Sequence, residues 1–173
     1  NTYTGGTLLD GGLLIIKDDN QLGAAGTGVT IKSGTLQIAN DITLSRNIIT
    51  STTSGGSIST AGHNVVLDGT VNNSVGGIGR LVKSGGGKLT LTQDSAYDIG
   101  TTLDAEGKEV AVVGNTIING GTLSIAKDSY LGKNAVTPSL EAELVDRKVD
   151  WNTGNLVIDG GTLETTAGLT THR

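Results

Sequence analysis

The chain lacks cysteine, methionine and phenylalanine altogether, has one proline, and holds aromatics to 2% of its 173 residues. Without cysteine there are no disulfides, no thiolate metal sites and no thiol nucleophile. Without large aromatic or thioether side chains the chain cannot fill the wide centre of an ordinary globular domain. No apolar run reaches membrane-spanning length, and no secretory leader is visible in these residues. Basic charge is also scarce: 12 Lys and Arg stand against 17 Asp and Glu, for a net charge of −5. Residues 1–92 carry six basic and five acidic groups, and residues 93–173 carry six and twelve. No basic face able to neutralise phosphates results, which excludes a nucleic-acid partner.

What is present is glycine, threonine and branched aliphatics. The 28 Gly, 25 Thr, 19 Leu, 14 Ile and 13 Val keep the chain out of the disordered class and favour short strands with polar outer faces and glycine corners. In Lys88-Leu89-Thr90-Leu91-Thr92 the apolar side chains fall at every second position, so the leucines share one strand face. Gly-Gly-Thr-Leu or a near variant recurs at 5–8, 33–36, 86–89, 120–123 and 160–163, at intervals too uneven for a leucine-rich or propeller repeat. Residues 28–38 are similar to 154–165 throughout. Short alternating strands, Gly, Asn and Asp corners and almost no helical periodicity predict a right-handed parallel β-helix. At roughly 20 to 25 residues per coil, residues 1–173 form a single solenoid of about seven or eight coils. One such coil cannot fold alone, because its few inward side chains do not offset the entropy of ordering it; stacking must supply the rest.

One stretch carries a resemblance. Gly79, Leu81, Lys83, Gly85, Gly87, Leu89, Leu91, Tyr97, Gly100 and Thr101 follow in order the pattern G-x-L-x-K-x-G-x-G-x-L-x-L, spacer, N-T-Y-x-G-G-T. This resembles the passenger-associated transport repeat of bacterial autotransporters, the type V secretion proteins. The back half of the pattern also opens the chain, as Asn1-Thr2-Tyr3-Thr4-Gly5-Gly6-Thr7. In the later copy Ser95-Ala96 replace Asn-Thr, and Ile99 replaces the first glycine of the pair. The segment from Leu44 to Gly69 is similar to what precedes the repeat in such proteins, so about half of the chain takes part. The resemblance implies a β-helical passenger displayed on, or released from, a Gram-negative surface, with a leader and a C-terminal outer-membrane β-barrel beyond these residues. It also implies a non-enzymatic adhesin without cofactor or metal, whose partners are host cell-surface or matrix molecules, or further copies of itself. The competing implication is a non-catalytic scaffold for an autotransporter protease, esterase or toxin. Absence of cysteine fits passage through an outer-membrane pore, which a periplasmic disulfide would hinder.

Candidate chemistry is sparse. His63 and His172 are the only histidines, no Gly-x-Ser-x-Gly elbow occurs, and Gly62-His63-Asn64 reads as a solvated turn. Gly76-Gly77-Ile78-Gly79-Arg80-Leu81 approaches a calcium nonapeptide but has Leu81 where the carboxylate belongs. Gly85-Gly86-Gly87-Lys88 mimics the end of a phosphate loop but leads into a strand. Asp18-Asp19-Asn20 and the set Asp146, Asp150, Asn152 read as turn carboxylates before they read as ion ligands. The segment 133–151 departs from the pattern: it holds the only proline, Pro138, the only tryptophan, Trp151, and seven charges. It is expected as a loop or short helix leaving the coil, with Arg147, Lys148 and Trp151 as the best candidates for a binding patch, since exposed Trp and Arg are the usual anchors.

Overall fold

A computed structural model describes residues 1–50, 56–74, 79–97, 99–103, 109–113, 116–131 and 156–167. The described residues are all-β apart from two single 3-10 turns, Asp19–Leu22 and Asp128–Leu131. In chain order the strands are β1 (Thr7–Ile16), β2 (Val29–Ile38), β3 (Ile42–Leu44), β4 (Ile48–Thr50), β5 (Gly56–Ser59), β6 (Asn64–Leu67), β7 (Val71–Asn73) and β8 (Leu81–Ser84). They continue with β9 (Lys88–Leu91), β10 (Ile99–Leu103), β11 (Glu109–Val113), β12 (Thr116–Ile118), β13 (Thr122–Ile125), β14 (Leu156–Ile158) and β15 (Thr162–Thr165).

All pairings but one are parallel and fall into three columns. The first stacks the opening half of β1 on that of β2, then β4 and β7, with a last bridge from Asn72 to Ala96. The second stacks the closing halves of β1 and β2, then β5, β8, β12 and β14. The third runs β3, β6, β9, β13, β15. Partners in the early passes are 19 to 25 residues apart, as in Val29 with Ile48 and Gly56 with Leu81, which is the step of a chain that returns to the same column once per pass.

The period-two pattern decides which side chains face inward. Leu14, Leu36, Ile58, Lys83, Ile118 and Ile158 are successive partners in the second column; Ile42, Val65, Leu89, Leu123 and Leu163 are successive partners in the third. These aliphatics, apart from Ile158, which is exposed, make one contiguous core with Val29, Ile48 and Val71 of the first column. Their strand neighbours Thr43, Val66, Thr90, Ser124 and Glu164 form the opposite face of the third column.

Corners are joined from pass to pass by polar side chains. Asn47 Oδ1 accepts from Thr70 N–H (3.1 Å), Asp41 Oδ1 from Asn64 N–H (2.8 Å), and Asp68 Oδ1 from Thr92 Oγ1 (2.9 Å) and Gln93 Nε2 (3.1 Å). Turn-forming Asn and Asp therefore also bind the turn above, which uses their acceptors without leaving the surface.

One feature differs from the sequence expectation. β10 and β11 pair antiparallel, as an isolated two-stranded ribbon between Tyr97 and Thr116, and Gly100, expected at a repeat corner, lies in that ribbon. Counted along the second column, the described residues make six passes.

Candidate functional site

Arg147, Lys148 and Trp151, the residues favoured for binding, lie outside the described residues, as do Asp146, Asp150 and Asn152. Among the described residues no group of three His, Asp or Glu is placed to hold a metal ion. Asp18 accepts from Asn20 N–H at 3.0 Å, capping its own turn, and Asp19 is committed to Arg46. His63 sits at a corner with Nδ1 3.2 Å from Asp41 Oδ1. The N–H of Asn64, and then His63, hold the Asp41 carboxyl below the usual carboxylate range. That arrangement is a pass-to-pass tie between Asp41 and the corner His63-Asn64.

The repeat residues gather around a polar inclusion in the aliphatic interior. Leu81, Leu89 and Leu91 are buried in the core. Lys83, between Ile58 and Ile118 on an inward ladder, is fully buried. Its ammonium donates to the carbonyls of Ser84 (2.9 Å), Gly85 (2.8 Å) and Gly120 (3.0 Å). Three donors meet three acceptors, so the group is saturated without a carboxylate. Burial pushes its pKa down to about 8. The Gly120 bond crosses to the next pass, so Lys83 ties the corner Gly85-Gly86-Gly87 to Gly120-Gly121. A Cβ on Gly87 would stand 2.2 Å from the His63 carbonyl oxygen, and one on Gly121 2.3 Å from the Gly87 carbonyl oxygen and 2.8 Å from Lys83 Nζ. Only glycine fits both, and both take positive φ (82° and 65°). Gly79 is hemmed in likewise, against Asn73 Oδ1 and the Tyr97 carbonyl oxygen.

Tyr3 and Tyr97 show that the repeat occurs twice and is split the second time. Tyr3 Oη lies 2.6 Å from Thr7 Oγ1, across Thr4, Gly5 and Gly6; Gly6 has φ 76°. Buried Tyr97 Oη lies 2.5 Å from Thr116 Oγ1, with the antiparallel ribbon between the two residues. From these threonines the sequences run in step: Gly11, Gly12, Leu14, Ile16, Asp19 and Leu22 recur as Gly120, Gly121, Leu123, Ile125, Asp128 and Leu131. Both stretches end in a 3-10 turn that buries its last leucine. Each then returns to stack on itself: β1 on β2 in one case, β12 and β13 on β14 and β15 in the other. The second setting starts one column later in the stack than the first. The sequence signal was Gly-Gly-x-Leu-x-Ile followed by Asp-x-x-Leu-Gly, and counting on contiguously from Tyr97 hid it.

Arg46, which the sequence did not single out, closes the first setting. Its side chain is buried, and it donates to the carbonyls of Asp19 (3.0 Å), Leu22 (3.4 Å), Gly23 (3.1 Å), Ala24 (2.5 Å) and Thr27 (3.3 Å), to Thr27 Oγ1 (2.8 Å) and to the Asp19 carboxylate (2.9 Å). A guanidinium offers five N–H groups in a fixed plane, which suits a ring of carbonyls better than an ammonium would.

Over 131 residues, 76% of this chain, the sequence is 33% identical to a protein of Brucella suis biovar 1 (strain 1330) named adhesin BmaC autotransporter. The chain spans about 4% of that protein's length. No protein-family model and no solved structure matches the chain.

Proposed function

Since the chain belongs with the autotransporter passengers, as its kinship with that adhesin shows, we propose that it is part of the surface-displayed stalk of an adhesin. Its passes wind as a right-handed parallel β-helix: parallel strands joined through a crossover take that hand almost without exception. The rod holds its interior with aliphatic ladders and offers Thr, Ser and Asn outward. Attachment would come from many shallow contacts along such a face, multiplied by the number of copies displayed on a Gram-negative cell. The function is binding, not catalysis; the partners are host cell-surface or matrix molecules, and 133–151 is the segment most suited to contact them.

The observation that carries this reading is the 33% identity to a named adhesin over three-quarters of the chain. The test is adhesion of beads coated with the 173-residue chain, and with a version whose 133–151 is replaced by a short Gly-Ser link, to cultured cells and immobilised matrix proteins. Saturable binding reduced by the replacement supports the proposal; beads that bind no better than those carrying an unrelated β-rich protein overturn it.

A further inference from the structure

The corners of the stack differ in how much chain they take. Between the second and third columns three or four residues join the strands in every pass from β2 onward, at 39–41, 60–63, 85–87, 119–121 and 159–161. A Cβ on Gly87 or Gly121 would already strike the neighbouring corner, so these corners have no room for added chain. Between the first and second columns the connection grows along the stack. β1 and β2 run through both columns as single strands, whereas five residues separate β4 from β5, seven separate β7 from β8, and eighteen separate Tyr97 from β12. In stacked-repeat proteins such insertions collect on one face, and that face is commonly the one that binds.

The eighteen-residue insertion holds the ribbon of β10 and β11. Among the described residues its strands bond only to each other, so the far side of each presents extended backbone N–H and C=O groups to an added strand. Natural edges are blunted by lysine, proline or a bulge. Neither β10 nor β11 contains lysine or proline, and their pairing runs from Ile99 with Val113 to Leu103 with Glu109 without a register shift. The sequence sets the charge of what such an edge takes. Residues 98–115 hold Asp98, Asp104, Glu106 and Glu109 against Lys108 alone, in a chain whose net charge is −5. Like charge disfavours a second copy at this edge and favours a basic segment.

We propose that the ribbon of β10 and β11 is a docking edge for an extended, basic polypeptide segment of another protein, which adds to it as a further strand. Backbone hydrogen bonds along the edge hold the segment, and the acidic insertion selects for Lys and Arg in it. The inference deepens the adhesin reading and rests on it for the source of the partner, as a contact additional to 133–151.

The test uses the full 173-residue chain and three synthetic peptides about eight residues long: one alternating valine and lysine, the same peptide with its backbone amides N-methylated, and one alternating valine and glutamate. Binding is followed by fluorescence anisotropy and by hydrogen exchange of residues 99–103 and 109–113. The expected result is saturable binding of the valine-lysine peptide that weakens with added salt, with exchange about tenfold slower at the ribbon amides that do not bond within the ribbon. The other two peptides, and a chain with 98–115 replaced by Thr-Gly-Gly, give binding weaker by about tenfold or more. The peptide controls decide the matter even where the shortened chain fails to fold. Equal binding of the N-methylated peptide overturns strand addition, equal binding of the glutamate peptide overturns the charge selection, and equal binding by a folded shortened chain overturns the ribbon as the site. Amides already protected in the parent chain alone overturn the proposal in favour of a segment of the same chain; protection that rises with protein concentration does so in favour of a second copy. Peptide binding without bead adhesion sinks the adhesin reading and leaves the docking edge standing, and bead adhesion without peptide binding does the reverse.

Discussion

The stretch from Tyr3 to Ile38 and the stretch from Tyr97 to Thr165 are built to the same plan, yet one is continuous and the other is broken twice. In the first, three residues join Tyr3 to Thr7 and six join the 3-10 turn to β2, all six within or beside the reach of Arg46. In the second, a β-ribbon separates Tyr97 from Thr116, and Leu131 is followed by 24 residues before β14. The hydroxyl pair, the glycine corner, the buried leucine of the turn and the parallel stacking are nevertheless retained. Register is therefore set by ladders and corner contacts between passes, not by the length of chain that connects them. Loop closure explains the tolerance, since doubling a flexible loop costs only about 0.6 kcal/mol.

The sharpest way to break the comparison is at Arg46, which only the continuous setting is shown to use. Arg46→Ala strips its donors from five buried or half-buried carbonyls and from Asp19, and a loss of about 3–5 kcal/mol is expected. Urea unfolding measures it, with new proteolytic cuts confined to residues 19–28 at low denaturant. A loss below about 1 kcal/mol would mean that water replaces the guanidinium without difficulty.

Next in size is a matched pair of glycines. Gly121→Ala combines positive φ with a clash against Gly87 and Lys83, for about 2–4 kcal/mol. Gly12→Ala has the backbone strain alone, for about 1–2 kcal/mol. Equal thermal shifts from the two would contradict the corner packing.

Lys83→Met keeps the volume but leaves three carbonyls without their donor, at an expected 1–3 kcal/mol, about the penalty for buried unsatisfied groups. It also carries a pH signature. The folded lysine releases its proton near pH 8 and the unfolded one near 10.5. Between those values the unfolded chain binds more protons, so stability rises with pH through the window, whereas below it the cost of the buried charge is complete and does not change with pH. The parent chain should gain stability relative to Lys83→Met between pH 8 and 10.5; parallel pH curves for the two would refute the depressed pKa.

The smallest effect is expected where the second setting is repaired. Replacing residues 98–115 with Thr-Gly-Gly makes Tyr97 and Thr116 contiguous in the manner of Tyr3 and Thr7, and the chain should stay folded to within about 1 kcal/mol. Loss of the cooperative transition would show that the ribbon is part of the fold and not an addition to it.

Much of this was legible beforehand, and residue by residue the reason is the same. Leu81, Leu89, Leu91 and the paired glycines announce themselves because inward placement at period two and positive φ are local requirements that a sequence must meet in place. The break at β10 and β11 was not legible, because it hid behind Gly100 and Thr101, which match a corner motif they do not form; the excursion that the charges and Pro138 predict for 133–151 lies outside the described residues. Arg46 was invisible, since nothing in Leu-Ser-Arg-Asn tells which carbonyls, some twenty residues earlier, lack donors.

Composition and alternation thus determined, unaided, that this chain would build a narrow aliphatic interior from short parallel strands and glycine corners, because face and backbone angle are properties of each residue and its neighbours. Which strand lies on which was left to the folded molecule. So were the column in which the second setting starts and the cation that closes each corner, because these depend on groups far apart in sequence whose donors and acceptors count only once stacking has removed them from water.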